Sequence, residues 1–301
     1  MESITTTNLN YTIGSKTILK DISLHVPNGS IYGYLGRNGA GKSTTIKLLL
    51  GLLQQQNDNI LIQGKSLQKD RIEILSATGN LIEAPCFYTK LTVFENLKYL
   101  DIIYGKGTKR IDEVLELVDL HREKKKKTSA LSMGMKQRLG IAMAIFHDPQ
   151  LLILDEPLNG LDPQGIFEMR KLFQHLNDQG KTIFLSSHIL SELEKTATHI
   201  GIIEGGKMIF QGTKNELLSR VEKTVIVRVN NTEKAISVLQ GVHFQVSQSD
   251  KNKISVTIND DQAFHSLLKT LIQHDLEMYE IESQNANLEQ IFINLISNSH
   301  D

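Results

Sequence analysis

Residues Gly36–Thr44 read GRNGAGKST and fit the phosphate-loop pattern G-x-x-x-x-G-K-[ST] at Gly36, Gly41, Lys42 and Ser43. The pattern carries meaning only between a strand and a helix. Ser30–Leu35 (SIYGYL) reads as a buried strand, and Thr44–Leu53 carries apolar residues at helical spacing. In that setting the glycines let backbone N–H groups turn inward around a triphosphate, and the helix N-terminus adds partial positive charge behind them. Gly36, Asn38, Gly39, Gly41, Lys42, Ser43 and Thr44 are therefore candidate nucleotide-binding residues. Lys42 would reach the β- and γ-phosphates, and the Ser43 hydroxyl would ligate Mg2+. A glycine-rich turn that merely enters a helix is the plain alternative.

Nucleotide binding leaves open what the phosphate chemistry drives, and composition narrows the choice. Lys+Arg 33 against Asp+Glu 34 leaves a net charge of −1, so no global field draws the chain onto nucleic acid or an anionic membrane. The lysine run Lys124–Lys127 has no interleaved aromatics and reads as a solvated edge, so no nucleic-acid partner is expected. A single cysteine, Cys86, excludes an internal disulfide and fits a reducing cytosol. The N-terminus, MESITTTNLNY, has neither a basic nor an apolar signal region, so no signal peptide is expected. The longest apolar runs, Leu48–Leu53 and Leu151–Leu154, fall far short of the roughly 18 residues of a membrane span. If the protein works at a membrane, other chains must supply the span.

Ser3–Tyr11 and Thr17–Val26 read as strands of a β-rich start, and Asn59–Gln63 as a further short strand. Thr92–Tyr104, Lys109–Leu120 and Lys136–Phe146 then carry apolar residues at three- and four-residue spacing, which predicts a helical subdomain over about 85–150. Strand texture returns at Leu151–Asp155, followed by a helix over Pro163–Gln179 and a strand at Thr182–Ser186. A helix at Ile189–Ala197 and strands at Ile200–Glu204 and Lys207–Gln211 close this part. Such alternation predicts an α/β class with a mainly parallel sheet core. Beyond a linker near Leu218–Lys223 the predicted order is β-α-β-β-α-β, that of a small α+β ferredoxin-like domain, followed by an amphipathic helix at Asn287–Ile296. The expected domains are residues 1–219 and 220–301.

Leu151–Pro157 (LLILDEP) places two carboxylates at the carboxyl end of a buried strand, where ligands of open α/β sheets sit. Asp155 suits the holding of Mg2+ through water, and Glu156 the orienting and partial deprotonation of an attacking water. In isolation Asp-Glu would be a solvated acidic turn; downstream of a phosphate loop it points to chemistry. Leu131–Arg138 (LSMGMKQR) sets a serine and a glycine just before a helix, a second place where a hydroxyl and helix-start N–H groups could grip phosphate. Read alone, Ser132 is an N-cap.

The motifs GRNGAGKST, LSMGMKQR, LLILDEP, NGLD at Asn159–Asp162 and SSH at Ser186–His188 occur in that order. The set resembles the nucleotide-binding subunit of an ATP-binding cassette (ABC) transporter over about Ser3–Leu218, and so implies the ABC type of P-loop NTPase fold. The resemblance implies ATP and Mg2+ as ligands and a head-to-tail dimer of this chain with two ATP molecules at its interface. It also implies separate transmembrane permease subunits and a peripheral place on the cytoplasmic face of a bacterial membrane. Ser132 and Gly134 match the signature that faces the other subunit's nucleotide, Asp162 the loop linking the two sites, and His188 the histidine that contacts the γ-phosphate.

The chain departs from the family pattern in three places. Met133 and Met135 replace the common glycine and glutamine of the signature. The adenine-stacking position is Ile13, which leaves Tyr11, two residues earlier on the strand, as either a stacking residue or an ordinary sheet residue. Glu83 stands where the family usually has a glutamine, adding negative charge near the ion and the triphosphate and so greater dependence on Mg2+ and on basic residues of a partner. A glutamate here, the Leu288–Phe292 run and the extra C-terminal domain resemble the subfamily exporting bacitracin-like and lantibiotic peptides, especially self-immunity transporters. Competing readings are the same motor with a lipid, ion or drug cargo, and a soluble cassette protein acting on ribosomes or DNA. The single phosphate loop and the lack of a long heptad run argue against the last.

Overall fold

The computed structural model describes residues 1–54, 58–83, 85–218, 223–258 and 261–284, and divides into two compact units, Met1–Lys214 and Asn215–Asp301. The first unit opens with β1 (Glu2–Thr6) and β2 (Leu9–Ile13), two strands where the sequence predicts one. Asn8 lies between them at φ 47°, a left-handed turn that asparagine tolerates better than most residues. The next predicted strand also divides, into β3 (Lys16–Ile22) and β4 (His25–Pro27). In β5 (Ile31–Leu35) all five residues are buried, as befits a strand covered on both faces.

Helix α1 (Lys42–Leu49) follows the phosphate loop, and β6 (Ile60–Ile62) and β7 (Lys65–Ser66) return to the β-rich part. Helix α2 (Arg71–Ala77) and strand β8 (Thr78–Leu81) lie in a stretch whose pattern predicts no element. TGNL has neither alternation nor a β-branched run, and it is strand because it pairs with a neighbour. Three helices follow, α3 (Val93–Tyr104), α4 (Thr108–Leu117) and α5 (Met133–Ile145). Thr92 and Glu95 form a reciprocal capping box at the start of α3, and Gly105 at φ 62° ends it. Helix α5 starts before the predicted Lys136 because Ser132 caps it, its Oγ accepting from Met135 N at 3.2 Å.

Beyond them come β9 (Leu151–Leu154), α6 (Pro163–Asp178), β10 (Thr182–Ser187), α7 (Leu190–Glu194), β11 (His199–Glu204), β12 (Lys207–Thr213) and the single-turn α8 (Lys214–Leu218). The main sheet has the order β12-β11-β5-β10-β9-β8, with every pair parallel except β11 with β12. Registers of Leu35 with Ser187, Leu185 with Leu154, and Leu81 with Leu154 align the carboxyl ends of β5, β10, β9 and β8 along one edge. A second sheet, β4-β1-β6-β7, and the hairpin β2-β3 share a core with it, in which Ile4 and Leu9 join Tyr34, Ile46 and Phe184, all fully buried.

The second unit contains β13 (Lys223–Val229), α9 (Thr232–Gly241), β14 (Val246–Asp250), β15 (Lys253–Ile258), α10 (Asp261–Gln273) and β16 (Met278–Gln284). Its antiparallel sheet has the order β14-β15-β13-β16, and the chain order is the split β-α-β unit expected from the sequence. Strand β14 starts at Val246 rather than Phe244, because His243 at φ 66° ends α9 and Phe244 packs on the core of this unit. The C-terminal helix at 287–296 lies outside the described residues.

Gly79 marks the closest approach of β8 to α5. A Cβ there would lie 2.2 Å from the Ala144 carbonyl oxygen and 2.6 Å from Leu152 Cδ2, so backbone must move to admit it. Gly79→Ala is expected to destabilise the first unit by about 2–3 kcal/mol. Gly105→Ala, where nothing lies within 4 Å, should cost only the strain of its φ of 62°. Chemical denaturation of both variants checks the difference.

Candidate functional site

The phosphate loop leaves β5 and is shaped by contacts that only glycine permits at two points. A Cβ on Gly36 would meet the Ile203 carbonyl oxygen at 2.5 Å, and one on Gly41, at φ 114°, would meet Leu19 Cδ2 at 2.6 Å. Asn38 and Gly39 form the exposed rim. Lys42 is turned inward and only 5% exposed, its Nζ donating to the carbonyls of Gly36 at 2.7 Å and Arg37 at 3.4 Å. Below the loop the Tyr34 hydroxyl meets Thr45 Oγ1 at 3.2 Å, and Thr45 donates to the Gly41 carbonyl at 3.0 Å, which pins the first turn of α1. Burial pushes the Tyr34 phenol far above its ordinary range, outweighing the opposing effect of that bond, so it stays protonated.

The carboxylates Asp155 and Glu156 extend from β9. Asp155 N–H donates to the Leu81 carbonyl at 2.7 Å, tying β9 to the end of β8. The Ser186 hydroxyl, at the end of β10, donates to Asp155 Oδ1 at 2.6 Å and accepts from Glu156 N–H at 2.9 Å. Glu156 is held at φ 48°, a left-handed conformation that costs a residue bearing a Cβ. Its Oε1 lies 3.3 Å from Lys42 Nζ and its Oε2 2.9 Å from His188 Nδ1. Next to them burial raises the Glu192 carboxyl above its usual range, against the pull of the Ser187 hydroxyl and His188. The structure therefore brings Lys42, Asp155, Glu156 and His188 into one cluster. Two residues that sequence reasoning did not single out hold it: Ser186, and Gln137 of α5, whose buried amide donates to the Pro157 carbonyl at 3.0 Å.

Two oxygens here suit a hard divalent cation. Asp155 is 2% exposed and its Oδ2 accepts no hydrogen bond from a described residue, and the Ser43 hydroxyl likewise has none. Among the described residues no three His, Cys, Asp or Glu form a metal cage. A serine and one carboxylate fit Mg2+, which typically keeps few protein ligands and takes the rest from water and substrate phosphates.

Ser132, Gly134 and Asp162 line a separate cavity of about 580 Å³ with Met133, Arg138 and Leu161, and no phosphate-loop residue reaches it. Ser132 caps α5, and Asp162 caps α6 by accepting from Gly165 N–H at 2.8 Å, so two helix starts face this cavity. Glu83 finds its counter-charge closer to home than the sequence suggested. Its Oε1 is 2.6 Å from Lys47 Nζ on α1, so its basic partner is within the chain. Tyr11 packs against the core of the first unit, while Ile13 is 57% exposed. Bulges on either side of Tyr11 break the alternation that would put these two residues on one face.

Ser186→Ala would leave the Asp155 carboxylate and the Glu156 N–H without their shared partner. The expected loss is about 1–3 kcal/mol of stability, with a larger fall in nucleotide turnover than in nucleotide affinity. Denaturant melts and steady-state kinetics of the variant read both.

Residues 19–159 match the family model described as ABC transporter. The chain is 42% identical over 298 residues to the bacitracin transport ATP-binding protein of Bacillus licheniformis, covering 97% of each chain. It is 41% identical over 204 residues to the lantibiotic transport ATP-binding protein of Streptococcus pyogenes, covering 68% of this chain and 88% of that one. A solved ATP-binding subunit of an ABC transporter superposes with a TM-score of 0.67 at 29% identity, covering 72% of this chain and 92% of the other. With the phosphate loop, the strand-end carboxylates and the histidine gathered at one sheet edge, the chain belongs to the ATP-binding subunits of ABC transporters, which couple ATP hydrolysis to transport.

Proposed function

We propose that this chain is the motor of a bacterial exporter that protects the cell from a bacitracin-like or lantibiotic peptide. Two copies close head to tail over two ATP molecules, and hydrolysis with product release reopens them, moving a separate membrane permease between states. The observation that carries the dimer is the separation of the two half-sites. The cavity of Ser132, Gly134 and Asp162 contains no phosphate-loop residue of its own chain, so a second copy must supply the nucleotide it grips. The peptide cargo is supported by likeness to the bacitracin transport protein, which extends through the C-terminal unit.

In this reading Lys42 and the loop N–H groups hold the phosphates, and Ser43 and Asp155 hold Mg2+, which supplies charge neutralisation for the leaving phosphate. Glu156 orients the attacking water and draws on its proton, and His188 contacts the γ-phosphate. Glu156 engages both Lys42 and His188, so an incoming γ-phosphate competes with this carboxylate for the same two side chains.

Among the described residues no helix is long and apolar enough to cross a membrane, which fits a peripheral place on the cytoplasmic face beside the permease. The permease contact is proposed on the helical part, where Tyr88, Tyr99, Ile102 and Ile103 are exposed and the two tyrosine rings lie 5.0 Å apart. The C-terminal unit is assigned to dimerisation or regulation, and its deletion should alter dimerisation, ATPase rate or resistance.

Glu156→Gln is expected to retain ATP binding, lower turnover by about 100-fold or more, and trap the closed dimer. Near-normal hydrolysis would remove Glu156 from the role of water-activating group. The cargo is tested by survival of a sensitive bacterium carrying this chain with its neighbouring permease genes, challenged with a lantibiotic panel and bacitracin. Protection that vanishes with Glu156→Gln is the expected result; no protection from a correctly assembled complex would move the cargo to another class.

A further inference from the structure

Glu83 is the position where a carboxylate replaces the family's neutral amide, and a carboxylate beside a triphosphate needs a counter-charge. Lys47 supplies one, 2.6 Å away. It stands one helical turn beyond Ser43 on the same face of α1, and side chains on a helix lean back toward its N-terminus, so Lys47 leans toward Ser43. Glu83 in turn follows β8 closely, and the carbonyl of Leu81 at the end of that strand receives the Asp155 N–H at 2.7 Å. The pair thus joins α1, which carries Ser43, to the loop after β8, the strand whose end is hydrogen-bonded to Asp155. Glu83 is held there at φ 54°, a left-handed backbone in which a residue with a Cβ persists only when its surroundings impose it.

The ion pair is exposed, with Lys47 at 34% and Glu83 at 63%. Exposed pairs are weak. A divalent cation offers the carboxylate a greater charge than one solvated ammonium does.

We propose that Lys47 is a positioning residue whose ammonium holds the Glu83 carboxylate, so that metal-bound nucleotide must compete with Lys47 for it. The proposal rests on the assignment of Ser43 and Asp155 as the metal position. It differs from the sequence-based expectation in placing the basic partner on the same chain.

The test is binding of a fluorescent ATP analogue to the full-length chain, titrated with Mg2+, which needs no turnover. Lys47→Met should free Glu83 and lower the Mg2+ concentration at half-maximal binding about two- to fivefold, the range an exposed pair can contribute. Lys47→Arg should restore the wild-type midpoint, and the shift should vanish when Lys47→Met is made in a Glu83→Gln background. Hydrogen exchange gives an independent reading: Lys47→Met should speed exchange of the Glu83 loop without nucleotide and leave it unchanged with Mg2+ and nucleotide bound. An unchanged midpoint with unchanged exchange, or the same shift with glutamine at 83, would overturn the role of Lys47. Wild-type Mg2+ dependence in Ser43→Ala would instead overturn the metal assignment, and this proposal with it.

Discussion

The carboxylate of Glu156, held between the Lys42 ammonium at 3.3 Å and the His188 ring at 2.9 Å, is the contact on which the rest of this site depends. Lys42 is 5% exposed, and a buried ammonium without an anion would be costly. The loop carbonyls of Gly36 and Arg37 solvate it in part, and Glu156 supplies the opposing charge. The same contact places the carboxylate proposed to activate water beside the lysine proposed to hold the phosphates. Its geometric condition is the sheet order: β5 delivers Lys42, β9 delivers Glu156 and β10 delivers His188, and these strands are neighbours only because β10 pairs with both of the others.

A second consequence of that order runs through β8 and α5. A Cβ on Gly140 would lie 2.8 Å from Leu81 Cδ1 and 2.9 Å from Pro85 Cβ, so α5 packs directly on the loop that contains Glu83. The same helix starts at Ser132 and sends Gln137 to the Pro157 carbonyl. One helix therefore touches the Glu83 loop, the turn after β9 and the cavity proposed to face the other copy. Packed interiors respond to displacement by moving whole elements rather than by yielding locally.

The elements legible in the sequence were those whose pattern is set by their own burial: IYGYL, LLIL and TIFLSS as strands covered on both faces, and the helices whose apolar stripes face a neighbour. Strand β8 was illegible because TGNL is strand by pairing with β9 and by the close approach of Gly79 to α5. The candidate site was legible as far as its motifs were contiguous, which gave Lys42, Ser43, Asp155 and Glu156. Ser186 lay inside a quoted motif, but its bridging hydroxyl depends on the register of β10 against β9, and no spacing encodes that register. The partnership of Lys47 with Glu83 is a contact between segments far apart in sequence and carries no local pattern at all. The two readings of Tyr11 stayed open in the sequence because they assumed strict alternation, and the bulges beside it carry no local signal.

Ser132 presents an apparent conflict between two roles, since the hydroxyl proposed to grip the other copy's nucleotide is already in use as an N-cap. Capping employs a lone pair of the oxygen, which accepts from Met135 N–H, and leaves the hydroxyl proton available to donate. A phosphate oxygen needs that donor. The cap fixes the oxygen at the helix start, where the N-terminal end of α5 also favours negative charge, and so pre-orients the proton toward an anion. Asp162 cannot do the same: a carboxylate has no proton to donate, and one of its oxygens is committed to Gly165 N–H. Within the shared cavity Ser132 and Gly134 can therefore face phosphate, while Asp162 must face a donor. In a head-to-tail pair that requirement points Asp162 at the other copy's protein groups rather than at its nucleotide.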